Sequence, residues 1–433
     1  MKQGKDFNKT GVSRRAFLAT GAGFGLFNIV PASVMGADAP SNKVTMALIG
    51  AGGMGSGNMN TFLGLPDVRV LAVCDVNRVK RERGKAKVDG RYGNKDCAMY
   101  LDFRDVCNRS DIDAVILATP DHWHAVIGIY AANSGKDIYG EKPFSHDLRE
   151  GRALVRAVER NGRVWQTGSW QRSSTEMRRA VELVKNGRIG KIARVEVGLP
   201  GTHSLHSHGV PGAKVPDGLD WDFWVGPAPE RPFEGVYDWD WRWVSDWGGG
   251  QLMDWIGHHG DIAQWGLGTD FTGPVSFEGT GDEYRKGIFD TPQRYRVECE
   301  YANGIKMTVA NAGNGDVRMG TKWIGENGEW VWVNRGRFDA SSRELRESRI
   351  EAGEIRLKSP GHHRQFIDCV KNRDLTLTPA EIAHRSASIG HLCRVAIDTK
   401  RKIKWDPATE RIIGDAAAES LLQRPLREPW KLV

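Results

Sequence analysis

Long apolar runs are scarce in this 433-residue chain. The mildly hydrophobic stretch from Ala19 to Val30 is too short to cross a hydrocarbon core of ~30 Å. A mean hydropathy of −0.46 likewise argues against a membrane bundle. Cysteine is sparse too: Cys74, Cys97, Cys107, Cys299, Cys369 and Cys393 lie far apart with no C-x-x-C spacing. That excludes a zinc ribbon and a disulfide scaffold and leaves buried thiols. There is no internal repeat and no basic stripe interleaved with aromatics. The formal charge of +7 is concentrated at the amino end, where five cations and one acid in residues 1–37 hold +4 and leave +3 for the rest. Nucleic acid is therefore not an expected partner.

Within that leader, Ser13-Arg14-Arg15-Ala16-Phe17-Leu18 precedes a short Gly-rich apolar segment, then Pro31 and small residues near Gly36 and Ala37. Paired arginines in this setting resemble a twin-arginine export signal spanning residues 1–37, which predicts a periplasmic or otherwise exported protein. That route carries folded proteins, so a chain needing its cofactor before export has a physical reason to use it. Tryptophan is abundant, with 16 in all and eight between Trp221 and Trp265. Such crowding suits a large core or a surface that stacks on sugar rings, and core packing is the simpler reading.

A chain of this length suggests two domains. Val44–Ile49 is nearly all apolar, as a parallel strand covered on both faces must be. It runs into Gly50-Ala51-Gly52-Gly53-Met54-Gly55, a G-x-G-x-x-G followed by a helix-length stretch from Ser56 to about Leu65. Glycines are needed there because backbone amides and a helix N-terminus must approach a pyrophosphate unhindered. Val68–Asp75 is a second strand, ending in an acid 20 residues after Gly55. Its carboxylate can accept from both ribose hydroxyls and would repel a 2′-phosphate, so NAD is expected rather than NADP. Arg78 is the one residue pointing the other way. A further strand at 114–118 ends in Thr119-Pro120 and a polar loop, Asp121-His122-Trp123-His124, before a helix over 125–134. Another at 136–140 empties into Glu141-Lys142-Pro143. Loops at strand carboxyl ends line the ligand crevice of an open parallel sheet.

The fold expected is α/β: a Rossmann doubly wound parallel sheet over 43–165, then an α+β domain with a large open, mostly antiparallel sheet over 166–360. C-terminal helices and a tail over 361–433 pack back on both. Helices are predicted over 147–161, 175–186, 361–371 and 379–399, and strands over 164–168, 192–197, 294–301, 305–310, 322–325 and 329–333. Asn303-Gly304 and Asn327-Gly328 are hairpin signals. The long Trp-rich loop from Leu199 to Asp246 is read as ordered, forming a carbohydrate-facing wall or a packing surface between subunits.

These pieces together resemble the Gfo/Idh/MocA oxidoreductases, the group of glucose–fructose oxidoreductase and inositol dehydrogenase. The matching residues are Gly50-x-Gly52-x-x-Gly55, Asp75, Thr119-Pro120 with His124, Glu141-Lys142-Pro143, and Gly248 to His258 with its D-x-x-x-H. The resemblance runs from about residue 43 to 400. It implies that Lys142 and His258 sit beside the nicotinamide with Asp254 close by, and that the second-domain sheet mediates a homodimer or homotetramer. It also implies that the helix carrying Glu381, His384 and Arg385 packs towards the cleft.

Pattern and resemblance together assign Gly50, Gly52, Gly53, Met54, Gly55, Asp75, Asn77, Arg78, Thr119, Pro120, His124, Glu141 and Lys142 to the cofactor. Trp170, Arg172, His206, Trp243 and His259 are assigned to the substrate, and Lys142, Asp254 and His258 to catalysis. Oxidising a secondary alcohol needs a base, donors that hold the hydroxyl and a dry face. His258 is the natural base. Asp254, four residues earlier, would share its helix face and orient the imidazole. Lys142 would hold the reacting oxygen and share the proton, its pKa lowered by burial beside a cationic ring. Which of Lys142 and His258 is the base stays open. Asp254, His258, His259 and Asp261, with His203, His206 and His208, are a rival metal set, but without rigid ligand spacing, so no metal is expected.

The expected activity is NAD-dependent dehydrogenation of a sugar, glycoside or cyclitol, with a tightly held NAD that could be recycled between turnovers. The alternatives are an NAD-dependent glycosidase acting by transient oxidation and elimination, and an inactive NAD-binding scaffold.

Overall fold

In the computed structural model, which describes residues 42–201, 209–282, 287–311 and 317–432, strand β1 (Val44–Ile49) lies parallel between β2 (Val68–Cys74) and β4 (Ala114–Leu117). Its side chains alternate between two cores. Met46 and Leu48 join Phe62, Val70 and Ile116, while Ala47 and Ile49 join Ala72, Val115 and Leu117. A strand covered on both faces has little room for polar residues, which explains its nearly all-apolar sequence; the half-buried Thr45 bonds Asp113 at 2.8 Å. With β3 (Ala98–Tyr100), β5 (Asp137–Gly140) and β6 (Trp165–Thr167), the sheet has the order β3-β2-β1-β4-β5-β6 and is parallel throughout. The order reverses between β1 and β4, so the ligand crevice of such a sheet opens at their carboxyl ends. The twin-arginine segment and His203, His206 and His208 lie outside the described residues.

Helices α1 (Gly53–Leu63), α2 (Arg78–Tyr92), α3 (Phe103–Cys107), α4 (Asp121–Asn133) and α5 (Leu148–Arg160) of this half flank the sheet. The residues expected as a polar loop, Asp121 to His124, are the first turn of α4. Pro120 at its N-cap and Asp121 in the first turn suit a helix start. Helix α2 is absent from the sequence reading because only Gly84 and Val88 of its fifteen residues are buried, so it shows no apolar period.

The chain then builds α6 (Thr175–Lys185), β7 (Ile192–Leu199), α7 (Trp221–Val225), α8 (Gly250–Trp255), a π-helical turn at Ile256–Gly260, and α9 (Asp261–Leu267). Strands β8 (Ser276–Gly281), β9 (Tyr295–Glu300), β10 (Lys306–Asn311), β11 (Gly320–Gly325), β12 (Trp330–Asn334) and β13 (Arg337–Ala340) follow. After the helices α10 (Arg343–Glu347), α11 (His362–Asn372) and α12 (Ala380–Thr399) come β14 (Ile403–Asp406), β15 (Arg411–Ile412) and α13 (Ala416–Ser420). The second sheet has nine strands in the order β13-β12-β11-β7-β10-β9-β8-β14-β15, and only β7 and β10 pair in parallel. Both Asn-Gly pairs join neighbouring antiparallel strands, with Gly304 at φ +82° and Gly328 at φ +84°.

One face of that sheet packs on α6, α9 and α12. The register places Glu196, Glu298, Thr308 and Lys322 together on the other face, with Arg296 bonded to Glu298 at 2.9 Å. An antiparallel sheet tolerates such a polar side. The Trp-rich segment makes a core of its own: Trp224, Trp241, Trp243 and Trp247 are buried with Phe233 and Phe289. Trp239, by contrast, is 49% exposed. All six cysteines are free and buried.

Helix α12 packs against α8 and the π turn, but its charged residues point away from them. Its Glu381, His384 and Arg385 join Arg152 of α5 and Glu410 in an ion-pair network, with Arg152–Glu381 and Arg152–Glu410 both at 2.6 Å. These charged groups tie the helix to α5.

Candidate active site

At the carboxyl end of β1, Gly50 adopts φ +92°, and a Cβ there would lie 2.5 Å from the Ala118 carbonyl oxygen. A Cβ on Gly55 would lie 1.9 Å from the Gly50 oxygen, so this glycine lets α1 sit directly on the turn. Gly52 and Gly53 differ, since a Cβ on either meets nothing within 4 Å. Both line a cavity, with Met54, at the N-terminus of α1. The open space above two bare amides and a helix N-terminus fits a pyrophosphate.

Asp75 lines the same cavity. One carboxylate oxygen accepts from Ala51 N and the other from Asn77 N, both at 2.7 Å. Each oxygen keeps lone pairs for a diol. Asn77, Thr119, Pro120, Glu141 and Lys142 also line it. The Thr119 hydroxyl is buried without a protein partner, and Glu141 accepts from Asn58 Nδ2 at 2.8 Å. Arg78 does not face the cavity. Its half-exposed guanidinium pairs with Glu82 one helical turn on, at 3.0 Å. His124 lies behind the wall, its ring nitrogens 2.7 Å from the Pro143 oxygen and 2.9 Å from the Thr119 oxygen. It braces the Lys142–Pro143 step, a cis peptide, rather than touching a ligand.

A second cavity adjoins the first. Both are lined by Met54, Glu141, Lys142, Arg242 and Asp254, so they meet at this group. Lys142 Nζ donates to Asp254 Oδ1 at 2.6 Å and to the Asp254 carbonyl oxygen at 3.0 Å, while Arg242 Nε is 3.3 Å from the same Oδ1. Burial alone would raise the Asp254 carboxyl, but the charges of Lys142 and Arg242 outweigh it and hold the group below its ordinary value.

His258 lines the second cavity with Trp170, Trp239, Trp243, Trp255, Gln251, Arg335 and His363. Burial, reinforced by the charges of Lys142 and Arg335, pushes its pKa well below the usual imidazole value and keeps it neutral. Its Nδ1 is buried without a partner. Asp254 does not orient it. The expected shared face assumes 3.6 residues per turn, whereas the chain passes through a π turn at residues 256–260, and the carboxylate is taken by Lys142 and Arg242.

Two residues assigned to the substrate lie elsewhere. Arg172 is buried and binds Asp261 at 2.7 Å and Asp270 at 2.8 Å. His259 is fully buried, its Nδ1 2.8 Å from the Gly198 oxygen. Among the described members of the rival metal set, Asp254 pairs with Lys142, His259 with a carbonyl and Asp261 with Arg172; His203, His206 and His208 lie outside the described residues. Trp170 and Trp243 do line the cavity; His206 is outside the described residues.

Several lining residues escaped the sequence reading. Asp121, buried in the first cavity, has its carboxyl pushed up to about 8 by burial and by the negative charge of Asp254. It stood in the quoted Thr119–His124 stretch, where an acid opening a helix was the available signal. Arg242 and Arg335 sit in the Trp-rich loop and in the turn between β12 and β13, where no motif marks them.

Models of the Gfo/Idh/MocA family match nearly all of the chain after residue 43. The NAD-binding Rossmann fold of that oxidoreductase family covers residues 44–169, and its C-terminal alpha/beta domain covers 175–432. The α-N-acetylgalactosaminidase of Shewanella oneidensis is 29% identical over 175 residues, 38% of this chain and 37% of that protein. The chain spans about a third of the length of the curated relatives it matches. Two solved structures share the fold. The aldose-aldose oxidoreductase of Caulobacter crescentus complexed with glycerol has a TM-score of 0.63 and 17% identity, covering 84% of this chain and 99% of that one. The scyllo-inositol dehydrogenase of Lactobacillus casei, with bound NAD(H) and scyllo-inositol, has 0.59 and 16% over the same shares.

Proposed function

The chain belongs to the Gfo/Idh/MocA oxidoreductase family, and from that premise we propose that it dehydrogenates a secondary alcohol of a sugar, glycoside or cyclitol with NAD. The observation that carries this reading is the junction of two cavities at Lys142 and Asp254. One is floored by Gly52, Gly53 and Asp75; the other is walled by His258 and indole faces. A nicotinamide dinucleotide bound along the first would supply the hydride acceptor. The protein's own part is proton handling and positioning. The Lys142 ammonium, fixed by Asp254, donates to the substrate oxygen and stabilises charge developing there. His258, neutral and with a free lone pair, takes the hydroxyl proton. Asp75 accepts from the ribose and favours NAD over NADP.

The test follows absorbance at 340 nm while the NAD-loaded protein meets a panel of polyols. His258→Ala should lower kcat by about a hundredfold or more while NAD affinity holds. Undiminished turnover in that variant would remove His258 from the proton path.

A second reading draws on the similarity to the Shewanella α-N-acetylgalactosaminidase. The same residues would serve a glycosidase that oxidises its sugar transiently and eliminates the aglycone. Phenol released from an aryl glycoside, with no net cofactor reduction, would decide for it. We further propose export of the folded protein by the twin-arginine signal, and a homodimer or homotetramer formed on the polar face of the second sheet. Arg14→Lys with Arg15→Lys should trap the protein in the cytoplasm, and light scattering after chromatography reads the mass.

A further inference from the structure

The buried and partly buried arginines described above are matched by carboxylates: Arg172 by Asp261 and Asp270, Arg152 by Glu381 and Glu410, Arg242 by Asp254. Arg335 is the exception. Its guanidinium carbon lies 4.2 Å from the Trp255 ring centroid and 5.0 Å from that of Trp170, at the wall of the second cavity. Its Nε is buried without a hydrogen-bond partner. Among the described residues no carboxylate forms an ion pair with it. Glu176 lies nearby but accepts from the Gly336 backbone N–H at 2.9 Å.

Two indoles thus hold this side chain by cation–π contact, while its terminal N–H groups meet no acceptor among the described residues. Burial costs the group solvation, and it lowers the Arg335 pKa with only the field of Asp254 opposing. The cavity as a whole is lined by three cations, Lys142, Arg242 and Arg335, against two carboxylates, Asp254 and Glu141. One positive charge therefore lacks a protein partner even if Glu141 is ionised. A planar guanidinium with unused donors matches two oxygens of an oxyanion.

We propose that the sugar taken by this cavity is anionic, bearing a ring carboxylate or a sulfate ester whose oxygens are received by Arg335. The inference rests on the reading that the second cavity holds the sugar. The half-exposed Trp170 and Trp239 would then face the apolar side of the ring, while the anion fixes its orientation relative to Lys142 and His258.

The test uses the full-length, NAD-loaded protein and its intrinsic tryptophan fluorescence, to which Trp170 and Trp255 at the cavity wall contribute. It is titrated with glucose against glucuronate, galactose against galacturonate, and galactose 6-sulfate, at low and high ionic strength. At least one anionic sugar should bind about tenfold or more tightly than its neutral counterpart, and added salt should narrow the gap. The uronate and sulfate arms identify which oxyanion is read. Arg335→Gln should weaken the anionic member far more than the neutral one, and Arg335→Lys should keep part of the preference. Equal affinities within every pair, or a gap that survives Arg335→Gln, would overturn the inference. A clear anionic preference with neither cofactor reduction nor aglycone release would instead sink the oxidoreductase reading and leave this one standing. Turnover of neutral polyols with no preference would do the reverse.

Discussion

Lys142 Nζ and Asp254 Oδ1, 112 residues apart in the chain, lie 2.6 Å from one another where the two cavities meet. The pair joins the loop after β5 to the carboxyl end of α8, so the two halves of the chain share one charged junction. Lys142→Ala should abolish turnover, a loss of about a hundredfold or more in kcat. Dinucleotide binding should survive, because the glycine turn and Asp75 are untouched. Equilibrium dialysis of NAD beside steady-state kinetics checks both halves. Wild-type kcat in the variant would show that the ammonium does not touch the reacting oxygen.

Asp121 yields a prediction about pH. Its carboxyl sits at about 8 in the folded protein against an ordinary 3.8, so the native state holds this proton more tightly than the unfolded chain. The associated stability is full below pH 4 and declines as pH rises towards 8. Asp121→Asn removes the decline. Its stability relative to wild type should therefore grow with pH, by at most about 1.4 kcal/mol per unit, and level off above pH 8. Urea denaturation of the cofactor-free protein across this range measures the difference; a difference independent of pH would refute the assignment.

The glycine turn separates folding from binding. Gly55→Ala puts a methyl group 1.9 Å from the Gly50 oxygen and should destabilise by about 1–3 kcal/mol. Gly52→Ala meets no protein atom within 4 Å, so its Tm should stay near wild type. NAD affinity should nevertheless fall by about tenfold or more, the new methyl standing where the pyrophosphate approaches. Unchanged affinity would mean that the dinucleotide takes another path.

Arg172 should behave as a stabilising residue. Removing it strands the carboxylates of Asp261 and Asp270, a cost of about 3–5 kcal/mol for a buried pair broken on one side. Arg172→Ala with Asp261→Asn should recover part of that loss. Denaturant midpoints report the recovery, and a lone effect on KM with stability unchanged would return Arg172 to the substrate site.

The parallel sheet was legible in sequence because β1, β2 and β4 are mostly buried on both faces and read as largely apolar runs, and because β1, β4 and β5 end in distinctive loops. Asp75, Lys142 and His258 were legible because motif spacing fixes them at strand or helix ends. The polar helix α2 and the three-residue β3 left no such trace. Asp254 is the instructive case. Its place in the cavity follows from the motif, but its partner does not, since a π turn breaks the helical spacing to His258 and a lysine from 112 residues earlier takes the carboxylate. Arg172 and His259 were misplaced for a related reason. Side-chain type announces chemistry, but only packing decides whether that chemistry faces a ligand or closes a core.

Helix α11, near the end of the chain, supplies Phe366, Ile367, Cys369 and Val370 to the core beneath Met46 and Leu48, with Phe366 edge-on to Phe62 at 5.9 Å. The nucleotide-binding half thus stays unfinished on the ribosome until translation is nearly over. A fragment stopping at residue 169 would leave that side of its sheet bare to water. Grafting this half onto another catalytic domain would have to bring the late helix with it.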